Sequence, residues 1–180
     1  MAEEYGVLMN GAVRAVARMH GDTSKLLLDC DKHIGKGRAS VFGNFATKEL
    51  TYNVQAECWM ACGVYRFYLA GHNSVEAVTV AFWDESTTEP MFLISQIQYR
   101  CDNALEDGLT AIKEICDGWD VWYLYFDGGE RISDAVLTYE NIDDGRIESA
   151  RLIAVPLFSI ASIEQVVELS NRLHAPTPQP

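Results

Sequence analysis

The clearest pattern at the start of the chain is a helical one. Apolar residues recur at spacings of three and four, which places them on one face of an α-helix. They are Tyr5, Leu8, Met9, Ala12, Val13, Val16 and Met19. Gly21 follows this pattern, as a terminating glycine often does, so we expect the helix to end there. Its apolar face either packs on the core of the same chain or forms a partner-binding or dimerising surface.

The residues after this helix fit two interpretations. Leu26–Leu28 and Arg38–Phe42 have the composition of short strands on either side of a turn at Ile34–Gly37. A helix over Thr23–His33 competes with the first of these strands, because polar residues that cap helices stand at its start. The pattern alone leaves both interpretations open.

Three segments in the middle of the chain have the patterns of strands. Strict alternation of apolar and polar residues predicts a half-buried strand over Leu50–Cys58. The apolar stretch that follows, Trp59–Leu69, is either a second strand after a bend near Gly63 or a buried helix. Val75–Trp83 and Met91–Tyr99 are rich in β-branched and aromatic residues, and a polar link that ends in proline joins them. These two segments predict an antiparallel hairpin.

Two further helices are predicted from capping residues. One begins at Asn103, where Glu106 stands in the capping-box position. The other begins at Ser162, where Gln165 completes the same motif. Residues 175–180 contain three prolines, which cannot continue a helix, so we expect a disordered tail there.

Strands predicted between these helices complete the fold. They cover Val121–Phe126, Ala135–Tyr139 and Ile147–Leu157. The chain is therefore predicted to be α+β, with an antiparallel, meander-rich sheet on which an N-terminal, a middle and a C-terminal helix pack. Because no repeat and no linker-like stretch interrupts it, we expect residues 1–174 to form a single domain.

Composition narrows the classes of function. The 180 residues include 26 Asp and Glu against 14 Lys and Arg, a net charge of −12, and 48% are hydrophobic. Such apolar content excludes a disordered chain. The shortage of basic residues argues against direct nucleic-acid binding, since phosphates require clustered Lys and Arg. No apolar run is long enough for a membrane span. An acidic N-terminus and an odd number of cysteines lead us to expect a reduced, cytoplasmic protein.

Two cysteines followed by a histidine and a carboxylate are the strongest candidates for chemistry. A cysteine nucleophile needs a nearby base, usually histidine, and a group that orients it. Cys58 and Cys62, with His72 and Asp84, supply these residue types. Cys58 also lies on the apolar face of a predicted strand, where a thiol packs as a small hydrophobic group. A cysteine-dependent hydrolase or transferase is therefore the alternative function.

No metal or cofactor site is predicted. Structural zinc sites have two close pairs of ligands, and a single C-x3-C segment with Cys30 and His33 elsewhere does not supply them. Gly35–Gly37 lacks the spacing of a phosphate-binding loop. Asp127–Glu130 is acidic and would repel phosphate. Both glycine-containing segments are typical of turns.

Aromatic and acidic residues in the second half of the chain form the candidate partner-binding surface. A strand divides its side chains between two faces, so a sheet with helices on one side alone would leave an aromatic row for a partner. Acidic loops would attract a basic partner. The candidate residues are Trp122, Tyr123, Tyr125, Asp127, Glu130, Asp143 and Asp144.

Together, these features predict a small, acidic binding protein of chaperone, immunity or adaptor type that engages a basic or apolar protein segment. The order of the predicted elements resembles that of type III secretion chaperones, in element order alone, and no site residue is transferred from that family. Self-association through the first helix or a sheet edge would make the protein a homodimer. A nucleic-acid mimic that blocks a basic groove is a third hypothesis, which predicts strongly salt-dependent binding.

Overall fold

The computed structural model describes residues 2–38, 40–41, 63–71, 73–82, 89–100, 135–142 and 147–175. These ranges contain two α-helices, α1 (Ala2–Cys30) and α2 (Ile163–His174). They also contain five strands: β1 (Gly63–Leu69), β2 (Ser74–Ala81), β3 (Met91–Tyr99), β4 (Leu137–Ile142) and β5 (Ile147–Pro156). A π-helical turn at Asp31–Gly35 follows α1, and a 3-10 turn at Leu157–Ser159 precedes α2.

The strands form one antiparallel sheet in the order β1-β2-β3-β5-β4. The first three make a meander, and β5 pairs with β3, so that Ile94 lies between Val78 and Ile153. The hairpin partner of β5 is β4, which lies at an edge. This sheet confirms the predicted α+β class and the predicted hairpin of β2 and β3. It also decides between the alternatives for residues 63–69, which form a strand and not a helix.

Helix α1 is longer than the sequence pattern predicted. It continues through Gly21 to Cys30, so the prediction that it ends at Gly21 is wrong. A glycine inside a helix costs about 1 kcal/mol relative to alanine. Thr23, Leu27 and Cys30 in the following turns are buried, and that burial outweighs the cost. Thr23–His33 is therefore helical, but no separate helix begins at Thr23, since α1 runs through this position without a break. The strand interpretation of Leu26–Leu28 is wrong.

Both helices pack on the same face of the sheet. Apolar side chains of the central strands, including Val78, Ile94 and Ile153, are buried there. Leu27 of α1 and Leu173 of α2 belong to the same cluster. Since β-strands turn alternate residues to opposite faces, these positions define the helix-covered face of the sheet.

The opposite face of the central strands is buried as well. Ala77, Leu93, Ile97 and Leu152, which alternate with the positions of the helix-covered face, are excluded from solvent. A partner-accessible sheet face requires one row to remain exposed. The central strands β2 and β3 do not provide such a row.

Helix α2 begins as its sequence predicted. Ser162 is the N-cap, and both hydrogen bonds of its capping box with Gln165 are present. Val166, Leu169 and Leu173 form the buried face, at the spacing of a core-facing helix.

Several predicted elements lie outside the described residues. They are the strand at Leu50–Cys58, the middle helix beginning at Asn103, the strand at Val121–Phe126 and the tail after residue 175. The described ranges thus hold two of the three predicted helices. Within those ranges, no helix has both the length and the apolar character that a membrane crossing requires.

Candidate functional site

The N-terminal half of α1 presents an apolar surface to solvent. Large side chains on this segment, Tyr5, Leu8, Met9 and Val13 among them, are 64–72% exposed. With Ala12 they occupy one face of the helix, since their spacings are three and four residues. We call this set, Tyr5, Leu8, Met9, Ala12 and Val13, the α1 stripe. An apolar surface of this kind on one chain marks an interaction site more often than isolated exposed residues do.

The stripe is exposed because the sheet contacts only the second half of α1. All residues from Tyr5 to Ala15 are exposed, and burial on this helix begins at Val16. Thr23, Leu27 and Cys30 lie on the same side of the helix as the stripe and are buried against the core. At 1.5 Å per residue, the exposed half projects about 20 Å.

A groove lies beside α1 where the helix passes the chain segment before α2. It has a volume of about 390 Å³. Met19 and Leu26 of α1 form one wall, and Leu157, Phe158 and Ile160 form the other. Asp22 and Asp29 also line it. We call this feature the α1 groove.

The two carboxylates of the groove are each paired with a lysine one helical turn away. The Nζ of Lys25 donates to Asp22, and the Nζ of Lys32 donates to Asp29, both at 2.9 Å. The hydrogen bond from Lys32 is the main reason that the pKa of Asp29 is lowered. Both pairs are exposed to solvent. Exposed pairs at this spacing are weak, so a competing cation can displace the lysines.

The buried half of α1 is fixed to the sheet by Asp31 in the π-helical turn. Its carboxylate accepts hydrogen bonds from Arg66 Nη2 at 2.8 Å and from the Tyr68 hydroxyl at 2.7 Å. Burial, together with the hydrogen bond to Asp31, raises the pKa of Tyr68. Gly35 permits this arrangement, since a Cβ there would lie 3.0 Å from the Tyr68 ring. The helix direction is thus set by polar contacts immediately after its C-terminal end.

A second polar cluster surrounds Glu76 on the helix-covered face. The Glu76 side chain is 2% exposed and pairs with the guanidinium of Arg38. The hydroxyl of Ser170 donates to Glu76 Oε1 at 2.7 Å, and His174 Nε2 lies 3.5 Å from Glu76 Oε2. Arg38 also donates to the carbonyl of Gly35 at 3.1 Å, which satisfies an acceptor at the end of the helical segment. Glu76 therefore joins α2 and the residues just after the π-helical turn to strand β2.

This cluster does not have the arrangement of a nucleophilic site. An activated serine donates its proton to a base such as histidine, which a carboxylate orients. Here the carboxylate of Glu76 lies between Ser170 and His174 and accepts from the serine directly. The contacts of Glu76 connect separate segments of the fold, which is a structural role. Within the described ranges, no group of three or more His, Cys, Asp or Glu side chains is placed to hold a metal ion.

Of the five cysteines in the sequence, Cys30 is the one that lies within the described residues, and its thiol is buried. Burial is the main cause that raises its pKa to about 12. Reactive cysteines are accessible and have lowered pKa values. Cys30 is therefore a core residue and not a nucleophile, and it is the last residue of α1.

The residues that the sequence proposed for chemistry and for partner binding lie outside the described ranges. The first set is Cys58, Cys62, His72 and Asp84, and the thiol enzyme remains a prediction. The second set is Trp122, Tyr123, Tyr125, Asp127, Glu130, Asp143 and Asp144, and the aromatic sheet face likewise remains a prediction.

Sequence reasoning identified the α1 stripe as a helical face but not the features around it. The groove and the Glu76 cluster were missed, because each is assembled from residues far apart in the chain. The sequence offered one indication of the Glu76 cluster, which is that Glu76 is an acidic residue within the apolar segment Val75–Trp83. A charged residue in a buried strand needs a partner, although the sequence does not name it.

Comparison with known proteins adds no relationship. A scan against protein-family models finds no match, and neither a search of curated proteins nor one of solved structures finds one.

Proposed function

We propose that this protein is an acidic protein-binding module of chaperone, immunity or adaptor type, and that the α1 stripe is its docking surface. The observation that carries this proposal is the 64–72% exposure of Tyr5, Leu8, Met9 and Val13 on one helix. Full burial of a Leu, Met or Val side chain releases about 1.5–3 kcal/mol of transfer free energy, part of which offsets the entropic cost of association.

The remainder of α1 supports this role by holding the stripe in a fixed orientation. Asp31 fixes the C-terminal end of the helical segment through Arg66 and Tyr68, while Leu27 is packed in the core. A helix that is already formed and oriented loses little conformational entropy when a partner binds. Recognition of an apolar segment by an amphipathic helix is a recurring mode of protein–protein interaction.

The acidic character of the chain indicates the charge of the partner. A net charge of −12 attracts a basic segment and repels a second acidic copy. A cytoplasmic protein partner with a basic or apolar segment is therefore preferred to a homodimer. Nucleic acid and membrane surfaces are not part of this proposal.

Comparative capture tests the proposal. Immobilised wild-type protein, the stripe variant Leu8→Ser/Val13→Ser and the control variant Asn10→Ser/Ala17→Ser are incubated with native lysate. The control residues lie on another side of the same helix. Bound proteins are quantified by mass spectrometry, circular dichroism checks the fold, and light scattering gives the oligomeric state.

The expected result is at least one protein bound in stoichiometric amount by the wild type and the control but not by the stripe variant. A dimer that the stripe variant dissociates would also support the stripe, with a second copy as the partner. Identical capture by all three proteins would overturn the proposal, as would a monomer that captures nothing. Loss of fold in the stripe variant would show that the stripe belongs to the core.

A further inference from the structure

Two residues of the α1 stripe, Leu8 and Ala12, are aligned along the helix with the wall of the α1 groove. Leu8, Ala12, Met19 and Leu26 lie within roughly 60° of one another around the helix axis, at 100° per residue. Met19 and Leu26 are also in the wall of the groove. One apolar track therefore runs about 27 Å from Leu8 to Leu26 and enters the groove. A track of that length matches a partner helix of about five turns.

The groove provides a place for one large side chain of such a helix. Its volume of about 390 Å³ lies in the range of pockets that bury ligands, roughly 300–1,000 Å³. Its walls are largely apolar, and Phe158 is 74% exposed. Interfaces are commonly dominated by a few aromatic or aliphatic side chains inserted into pockets of this kind.

Charge around the groove specifies the partner further. Asp22 and Asp29 line it, and Glu164 follows the lining residue Ile163 in the first turn of α2. The lysine partners of both aspartates are exposed and can be displaced. Basic side chains on either side of an inserted apolar residue would meet these carboxylates. A second copy of this chain would bring a further charge of −12 to the surface.

We infer that the track and the α1 groove bind a cationic amphipathic helix of another protein. One large apolar side chain enters the groove, and lysine or arginine residues beside it pair with Asp22 and Asp29. This inference rests on the proposed function of the α1 stripe and adds the chemistry of the partner.

Binding of two designed peptides tests it on the full chain. The first is a fluorescein-labelled, 18-residue amphipathic helix of leucine and lysine with one central phenylalanine. The second has glutamate in place of every lysine. Fluorescence anisotropy is measured from 50 to 300 mM NaCl. We expect the lysine peptide to bind at least tenfold more tightly than the glutamate peptide at the lowest salt concentration.

Variants locate the binding site. Asp22→Asn/Asp29→Asn should weaken binding of the lysine peptide at least threefold and reduce its salt dependence. Glu140→Gln/Glu148→Gln makes the same change in net charge at the other end of β5 and should weaken binding less than twofold. Ala161→Trp, at an exposed position of the groove, should fill the groove and weaken binding at least tenfold.

Failure of this inference can be distinguished from failure of the proposed function. Equal binding of the two peptides, or no binding of the lysine peptide, would overturn the inference. Groove variants that behave like the Glu140→Gln/Glu148→Gln control would also overturn it. If Leu8→Ser/Val13→Ser alone then reduced capture from lysate, the proposed function would stand with a different partner.

Discussion

Glu76 illustrates how a single buried charge depends on residues distant in sequence. Arg38, Ser170 and His174 surround its carboxylate, at separations in the chain of 38 residues for Arg38 and 94 for Ser170. A buried carboxylate is tolerated only when charged or polar partners replace its hydration. Glu76 is thus a point at which β2, α2 and the residues just after the π-helical turn are joined.

Replacement of Glu76 by glutamine tests this dependence. The change removes the charge that pairs with Arg38, and we expect it to lower the free energy of unfolding by roughly 2–3 kcal/mol. The expected loss is smaller than the usual cost of breaking a fully buried ion pair, because the Arg38 side chain is 28% exposed. Urea denaturation measures the change. Glu140→Gln, at an exposed position, should stay within about 0.5 kcal/mol of wild type; an equal effect of both would contradict the prediction.

The thiol of Cys30 makes stability depend on pH in alkaline solution. Burial raises its pKa to about 12 in the folded protein, whereas an unfolded thiol has a pKa of about 8.5. Because its pKa is raised on folding, the thiol contributes fully to the free energy of unfolding below the pKa of the unfolded thiol. This contribution is lost as the pH rises towards 12. Between pH 8 and 10 the wild type should therefore lose about 2 kcal/mol more of its unfolding free energy than Cys30→Ala.

Chemical denaturation of both proteins at the two pH values gives this difference directly. The comparison isolates Cys30, because every other titrating group is common to the two proteins. The same pH dependence in wild type and Cys30→Ala would show that the thiol is not protected by burial.

At the scale of elements, α1 is one continuous helix in two environments. Its first half carries the exposed stripe, while Leu27 in its second half is 3% exposed. Amphipathic patterning is the same along both halves. What differs is the presence of the sheet beneath only one of them.

Two identical substitutions on α1 should therefore differ in effect. Leu27→Ala removes packed methyl groups, and we expect it to lower the unfolding free energy by about 2–5 kcal/mol. Leu8→Ala should change it by less than about 0.5 kcal/mol, since alanine is at least as good a helix former. Thermal or urea unfolding of both variants checks this. Comparable losses in the two variants would place Leu8 in the core.

Local patterns predicted the elements whose stability is local. The hairpin of β2 and β3, the strand β5 and the capping box of α2 are determined by alternation, turn residues and caps in neighbouring positions. Gly21 misled the prediction of where α1 ends, because tertiary burial of the next turns outweighs its helix propensity. The helical face of Tyr5 to Val13 was also predicted from spacing. Its exposure was not, because spacing does not show how far the sheet extends beneath a helix.

Features assembled across the chain were not predictable in this way. The α1 groove joins residues 19–29 to residues 157–163. The position of β5 between β3 and β4 is likewise a long-range choice. Sequence periodicity reports which face of an element is apolar, but it contains no information about which other element covers that face.

For the whole molecule, net charge opposes the apolar attraction of the stripe. At pH 7 the charge of −12 repels a second copy, and this repulsion falls towards zero near the isoelectric point of about 4.6. We expect the average mass from light scattering to rise as the pH falls from 7 towards 4.6. The rise should be smaller for Leu8→Ser/Val13→Ser than for wild type. Equal association of the two proteins would exclude the stripe as the contact.

The insertion of β5 between β3 and β4 has a consequence for the synthesis of the chain. One side of β3 can pair with β2 as soon as both have left the ribosome, but its other side pairs with β5, Leu93 lying opposite Ala154. Until β5 is made, that edge of β3 has unpaired backbone groups beside very apolar side chains, a state prone to edge-to-edge aggregation. Closure of the sheet at this edge is thus a long-range step that cannot precede the synthesis of β5, and the β3 edge is without its pairing partner until then.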